Sequence, residues 1–242
     1  MQKQAWTWTT EHLPAPARMV RWGHFGAPVL IFPTAGGDFE EIERFQLIGA
    51  LAALIDNGKI KVYSLDGIAT RAWLAGTTTP AACAKLQEHY DAYVYEDVLQ
   101  RIRIDCKDPR IEPILVGASL GAFHAVCGLC RHPDAFRLAI GVSGSYDLAA
   151  KVGGVSSEQL GLFAAVSYLT RATESQLEQL RRRRVILGSG EGDYETPEES
   201  RRLAEALGSS KVPSRLSLWG PDHDHNWSSW REQLPRLLAE QL

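Results

Sequence analysis

A serine between two glycines is the strongest chemical signal in the sequence. Residues 117–121 read Gly-Ala-Ser-Leu-Gly, follow the apolar run 113–116 and lead directly into a helix-forming segment. This context is typical of a nucleophile elbow, a strained strand–turn–helix that exposes a serine oxygen at a helix N-terminus. We therefore interpret Ser119 as a nucleophile. The N–H group of Leu120, which directly follows it, is a candidate oxyanion donor.

An activated serine also needs a base and an acid that orients the base. When strands and helices alternate around such an elbow, these residues are expected after the serine in the order acid, then histidine. The apolar run 185–187 is followed by Gly-Ser-Gly-Glu-Gly-Asp, which offers Glu191 and Asp193 as acids. The predicted strand 215–219 is followed by a loop that offers His223 and His225 as bases.

The two tryptophans after the histidine loop favour His225 as the base. Trp227 and Trp230 are three residues apart, so they share one face of the last helix and are expected to anchor it beneath the site. His225 would then lie at the inward tip of the loop, whereas His223 would affect mainly affinity or stability. Histidines two apart with neighbouring carboxylates could also bind Zn²⁺, but no third cluster of ligands is evident and no metal is predicted.

The second oxyanion donor is expected from the loop after the apolar run 29–32. This loop reads Pro-Thr-Ala-Gly-Gly over residues 33–37, and its small residues allow close approach of the backbone. Thr34 belongs to the same loop and is a candidate for the substrate pocket. Asp66 and Trp73, which follow the next strand, are further pocket candidates.

Hydrophobic patterning predicts an α/β fold in one domain over residues 1–242, with a mostly parallel sheet covered by helices on both faces. Two antiparallel strands are expected before the parallel ones. The predicted strands are 5–10, 18–25, 29–32, 61–65, 113–116, 138–142, 185–187 and 215–219. We also predict that Asp38 caps a helix ending near Gly58, with Glu41 as its capping-box partner.

Composition excludes several other classes of function. The net charge of the 242 residues is −3, with acidic and basic residues interspersed, so no nucleic-acid partner is predicted. No apolar run approaches the length of a membrane span, and no signal-peptide core is seen, so we expect a cytoplasmic protein without a membrane partner. The four cysteines, at 83, 106, 127 and 130, do not read as a disulfide framework.

From about Pro28 onward, the sequence resembles the esterase D-like branch of the α/β-hydrolase superfamily, which includes feruloyl esterases, S-formylglutathione hydrolases and mycolyltransferases. The resemblance rests on the strand and loop 28–38, the elbow 117–121, the segment Arg-His-Pro-Asp-Ala-Phe at 131–136, the strand 138–144 ending in Ser-Gly, and His-Asn-Trp-Ser-Ser-Trp at 225–230. It implies an α/β-hydrolase fold and a catalytic role for His225.

The same resemblance assigns further residues by register. Family loops of the form Gly-x-Glu-x-Asp favour Asp193 over Glu191 as the acid, and the oxyanion loop points to the N–H group of Ala35. Pro33-Thr34 stands where the family commonly has His-Gly or Asp-Gly, which is the main departure from its pattern.

The resemblance and the residues together predict a serine esterase that acts on small carboxylic esters through an acyl-enzyme and needs no cofactor. A thioesterase or acyltransferase would use the same acyl-enzyme and is the first alternative. The second alternative, from another class, is a catalytically silent hydrolase fold used for binding.

Overall fold

The computed structural model describes residues 1–69, 79–146 and 164–242. Its strands are β1 (Lys3–Trp8), β2 (Ala17–Trp22), β3 (Ala27–Phe32), β4 (Ile60–Leu65), β5 (Ile114–Ala118), β6 (Leu138–Val142), β7 (Arg184–Ser189) and β8 (Ser214–Leu218). Its helices are α1 (Glu41–Arg44), α2 (Leu47–Ala50), α3 (Ala52–Asp56), α4 (Pro80–Ala92), a π-helical turn (Tyr93–Val98), α5 (Leu99–Cys106), α6 (Leu120–Arg131), α7 (Ala165–Arg171), α8 (Glu174–Leu180), α9 (Pro197–Ser209) and α10 (Trp227–Ala239).

Within these described ranges, eight strands form one sheet in the order β1-β2-β4-β3-β5-β6-β7-β8. The β1–β2 and β2–β4 pairs are antiparallel, and every pair from β4–β3 to β7–β8 is parallel. The predicted α/β-hydrolase fold, with its antiparallel N-terminal strands, is confirmed. The parallel strands all end at one edge of the sheet, and loops at that edge are the usual place for a site.

The sheet separates two apolar layers because successive side chains of a strand point to opposite faces. On β3, Leu30 and Phe32 pack into the layer that contains much of α6, whereas Val29 and Ile31 pack into the layer that contains Trp230 of α10. The helix after the elbow and the last helix therefore cover opposite faces. Among the described residues, no helix is both long and apolar enough to span a membrane.

The helix predicted to begin at Asp38 is instead three short helices, α1 to α3. Gln46 has a φ of 62°, in the left-handed region, and this interrupts the helix between α1 and α2. The predicted capping box is also wrong. Asp38 accepts the Glu40 N–H at 2.9 Å, while the Glu41 carboxylate turns back to Thr34. Gly58, with a φ of 64°, follows α3 near the predicted end of the helix.

Candidate active site

Ser119 lies at the sharp turn between β5 and α6. Its φ of 55° and ψ of −122° are a strained combination for a residue with a side chain. The surrounding backbone holds it in place, since the Ser119 N–H donates to the Val142 carbonyl at 3.0 Å. A Cβ at Gly117 would lie 2.1 Å from the backbone of Gly121, so only glycine fits there. The local geometry is therefore that of an elbow.

His225 reaches the serine from the loop after β8. Its Nε2 atom lies 3.0 Å from the Ser119 Oγ, and its backbone N–H donates to the Asp193 carbonyl at 3.0 Å. Asn226 caps α10 by accepting the Ser229 N–H, which ends the loop one residue after the histidine. His225 is thus fixed between a neighbouring loop and a helix start, with Nε2 directed at the serine oxygen.

The carboxylate beside the other ring nitrogen belongs to Glu195, a residue that the sequence interpretation did not consider. Its Oε2 lies 3.8 Å from the His225 Nδ1, and its side chain is 1% exposed. This separation is longer than a hydrogen bond, as is common for such pairs before substrate binds. The His225 imidazole therefore lies between the Ser119 hydroxyl and the Glu195 carboxylate.

The two carboxylates proposed from the sequence lie elsewhere, so placing Asp193 beside the imidazole was wrong. Asp193 is exposed, and it contacts His225 through its backbone carbonyl. Its own N–H donates to the Asp224 Oδ1 at 2.8 Å. The alternative, Glu191, is also exposed and forms an ion pair with Arg201 at 3.2 Å.

A turn in the loop after β7 explains why Glu195, and not Asp193, lies beside the imidazole. The Glu195 N–H donates to the Gly192 carbonyl at 3.3 Å, and Tyr194 has a left-handed φ of 62°. Residues 192–195 therefore form a tight turn that carries Glu195 inward and leaves Asp193 outside. Left-handed φ at a tyrosine is uncommon, and nothing in the sequence indicates it.

Hydrogen bonds surround the Glu195 carboxylate and keep it ionised. The Ser143 hydroxyl donates to Oε1, and the Ser189 Oγ lies 3.3 Å from Oε2. Ser143 in turn accepts the indole N–H of Trp230 at 3.0 Å. Burial acts to raise the pKa of Glu195, but its interactions with the His225 ring and with the Ser143 hydroxyl outweigh burial, so the pKa is lowered from 4.5.

His223 faces the last helix. Its Nε2 lies 3.4 Å from the Glu232 carboxylate on α10, and its ring packs against Trp219 with centroids 5.4 Å apart. The structure therefore brings His225, and not His223, to Ser119. Trp230 lies edge-on to the His225 ring at a centroid distance of 5.1 Å and is itself buried, in the position expected for an anchor beneath the loop.

The two candidate oxyanion donors belong to segments that touch. Leu120 is the first residue of α6, so its N–H has no carbonyl one turn earlier to bind. A Cβ at Gly121 would lie 2.6 Å from the Phe32 carbonyl oxygen and 2.7 Å from that of Pro33. The start of the 33–37 loop therefore packs against the first turn of α6, and exposed Ala35 stands two residues farther along that loop.

The pocket candidates are placed differently. Thr34 is half-buried and donates its hydroxyl to Glu41 at 2.7 Å. The Asp66 carboxylate forms a two-bond pair with Arg18, both at 2.9 Å. Arg18 and Asp66 also line a groove of about 670 Å³. Trp73 lies outside the described residues. No group of three potential metal ligands is found in the described part of the chain.

Comparisons with known proteins agree with this architecture. A ferulic acid esterase structure superimposes with a TM-score of 0.76 at 16% identity, covering 98% of this chain and 95% of its own. An S-formylglutathione hydrolase from Agrobacterium tumefaciens gives 0.70 at 15%, covering 98% and 93%. The fluorophosphonate-binding serine hydrolase F (FphF) of Staphylococcus aureus gives 0.65 at 14%, covering 98% and 97%.

At these identities the structural likeness shows the fold alone, and no curated protein sequence matches the chain. The family assignment rests instead on a family model, described as "Putative esterase", that matches residues 42–240. The serine hydrolase class predicted from the sequence is confirmed at this level. Because the match covers well over half of the sequence, the chain belongs to this esterase family.

Proposed function

We propose that the protein is a serine esterase that hydrolyses small carboxylic esters through an acyl-enzyme. The observation that carries the proposal is the 3.0 Å separation between the Ser119 Oγ and the His225 Nε2. A serine at a strained elbow with a histidine nitrogen at hydrogen-bond distance is the arrangement required for nucleophilic attack on a carbonyl carbon. Membership of an esterase family supports the choice of substrate class.

In the acylation step, His225 takes the hydroxyl proton of Ser119 while the oxygen attacks the ester carbonyl carbon. The resulting imidazolium is stabilised by the ionised Glu195, which also holds Nδ1–H toward itself and leaves Nε2 free to accept. The N–H groups of Leu120 and Ala35 bind the oxyanion of the tetrahedral intermediate. His225 then gives its proton to the departing alcohol.

Deacylation repeats these steps with water as the nucleophile. His225 accepts a proton from water, the water oxygen attacks the acyl carbon, and Ser119 leaves as the alkoxide that His225 reprotonates. Acid, alcohol and free enzyme are the products, and neither a metal nor an organic cofactor takes part. All four cysteines are free thiols, which fits a proposed cytoplasmic location.

A hydrolysis profile tests this function. Purified enzyme is assayed with p-nitrophenyl esters of increasing acyl length beside a panel of acyl-CoA thioesters. We expect ester hydrolysis that favours short acyl groups and falls by about 10⁴-fold or more in Ser119→Ala. A preference for thioesters would instead identify a thioesterase. Absence of Ser119-dependent turnover on either panel would favour a silent binding protein.

A further inference from the structure

A buried carboxylate holds the start of the proposed oxyanion loop. Glu41 is 5% exposed. Its Oε2 accepts the Thr34 N–H at 2.7 Å, and its Oε1 accepts the Thr34 hydroxyl at 2.7 Å. Both oxygens of one carboxylate are thus bound by a single residue, through its backbone and its side chain. Hydrogen bonds to a charged acceptor are stronger than neutral ones, so this contact fixes Thr34 firmly.

Glu41 also packs against the far end of the same turn. The Gly37 N–H donates to the Thr34 carbonyl at 3.2 Å, which closes a turn over residues 34–37. Gly36 has a φ of 71°, as the third position of a type II turn requires. A Cβ at Gly37 would lie 2.4 to 2.5 Å from the Glu41 carboxylate, so the carboxylate fills the space that a side chain would need.

The exposed tip of this turn consists of Ala35 and Gly36. The Ala35 N–H belongs to the peptide group that begins at the Thr34 carbonyl, so fixing Thr34 on one side and Gly37 on the other fixes that N–H. Within the described residues, Ala35 donates no hydrogen bond of its own. The donor is therefore held by its neighbours and remains open to a ligand.

We propose that Glu41 is a positioning residue that holds the Ala35 N–H in place for the oxyanion. The inference rests on the proposed esterase function. Thr34 supplies both hydrogen bonds of this contact, one from its backbone N–H and one from its hydroxyl. The family model begins only at residue 42, so both partners of this contact lie before the matched region.

The Glu41 carboxylate is affected both by its burial and by the charged groups around it. Burial raises the pKa of Glu41, and the two bonds from Thr34 oppose that rise. Arg44 and Asp38 are the nearby charged groups, acting in opposite directions on the same carboxyl. The hydrogen bonds from Thr34 therefore offset part of the cost of burying the Glu41 carboxylate.

The test compares five variants with the wild type on a p-nitrophenyl ester. Glu41→Ala removes both acceptors, Glu41→Gln retains one, and Thr34→Val removes the hydroxyl donor. Thr34→Ser keeps every bond and is the conservative rescue. Glu40→Gln is the matched control, because Glu40 is the adjacent carboxylate and is 38% exposed in its pair with Lys3. Each variant is characterised by kcat, KM, the burst-determined fraction of active sites and the Ki of a trifluoromethyl ketone.

We expect Glu41→Ala to lower kcat per active site by about 10- to 100-fold, below the roughly 10²- to 10³-fold cost of deleting an oxyanion donor. KM should change little, and the trifluoromethyl ketone, whose adduct carries an oxyanion, should weaken in parallel with kcat/KM. The kcat of Thr34→Val should lie between those of Glu41→Ala and the wild type. Thr34→Ser should recover most of the kcat that Thr34→Val loses, and Glu40→Gln should match the wild type.

A purely structural role would give a different result. Loss of active sites with unchanged kcat per remaining site, in either Glu41→Ala or Thr34→Val, would overturn the inference. Thr34→Val decides the matter if Glu41→Ala does not fold. A wild type without Ser119-dependent hydrolysis would overturn the proposed function, and this inference with it. If the wild type is active and both Glu41→Ala and Thr34→Val keep full kcat, the inference is overturned while the proposed function stands.

Discussion

The Nε2 atom of His225 lies 3.0 Å from the Oγ atom of Ser119, although 106 residues separate them in the sequence. The serine follows β5 and the histidine lies in the loop after β8, and both strands run parallel in one sheet. The carboxyl ends of β5 and β8 therefore lie at the same edge of the sheet, where the loops that follow these two strands meet.

The position of Glu195 behind His225 predicts a large effect of removing its charge. Glu195→Gln should lower kcat/KM by about 10²- to 10⁴-fold, because a neutral amide neither stabilises the imidazolium nor fixes the tautomer. Asp193→Asn and Glu191→Gln, on the same loop but with exposed side chains, are matched controls that should stay within about threefold of the wild type. If Asp193→Asn is inactive and Glu195→Gln is active, Asp193 is the catalytic acid and the prediction is wrong.

The two histidines of the loop after β8 should differ sharply. His225→Ala should abolish ester hydrolysis, and wild-type kcat/KM should fall as pH drops because a protonated imidazole cannot accept the serine proton. His223→Ala loses the contacts with Glu232 and Trp219, so it should keep near-native kcat with a modest loss of stability. Steady-state kinetics and thermal melts measure both. Near-native turnover by His225→Ala would contradict the assignment.

The tight packing of the elbow predicts a stability cost at Gly121. Gly121→Ala should destabilise the protein by about 2–3 kcal/mol, because the new Cβ would meet backbone oxygens at 2.6 and 2.7 Å that cannot move easily. Gly208→Ala in α9 is the control, since its Cβ would meet nothing within 4 Å. It should stabilise the protein by about 0.5–1 kcal/mol. Urea unfolding measures both, and equal effects would contradict the packing argument.

The lowered pKa of Glu195 predicts a pH-dependent stability. Burial acts to raise this pKa, but the interactions with the His225 ring and the Ser143 hydroxyl lower it below 4.5. A carboxyl with a lower pKa in the folded state stabilises the fold when ionised, and this contribution is lost as pH falls through the lowered pKa. The free energy of unfolding of the wild type relative to Glu195→Gln should therefore decrease between about pH 6 and about pH 3. A constant difference would contradict the prediction.

Local patterns in the sequence predicted the elbow and the histidine that lies beside Ser119. The elbow needs glycines at fixed positions around Ser119, and the spacing of Trp227 and Trp230 placed the histidine loop. Both signals lie within a few residues of the group they identify. Most strands of the sheet likewise coincide with short apolar runs, but their order in the sheet was not predicted from the sequence.

The carboxylate beside His225 and the loop contact of Glu41 could not be predicted in this way. Glu195 turns inward because Tyr194 adopts a left-handed φ. A tyrosine rarely adopts this conformation, so the sequence does not indicate it. Glu41 was predicted as a capping-box partner from its spacing to Asp38, but a buried carboxylate binds whichever donors the folded loop presents, here those of Thr34. Such contacts depend on tertiary structure, which sequence spacing does not contain.

Covalent labelling tests the central claim most directly. Wild-type protein is treated with a fluorophosphonate, and its intact mass and the labelled peptide are measured beside Ser119→Ala and Ser143→Ala. We expect one adduct on Ser119 in the wild type and in Ser143→Ala, and none in Ser119→Ala. Labelling retained in Ser119→Ala, or an adduct mapped to another residue, would contradict it.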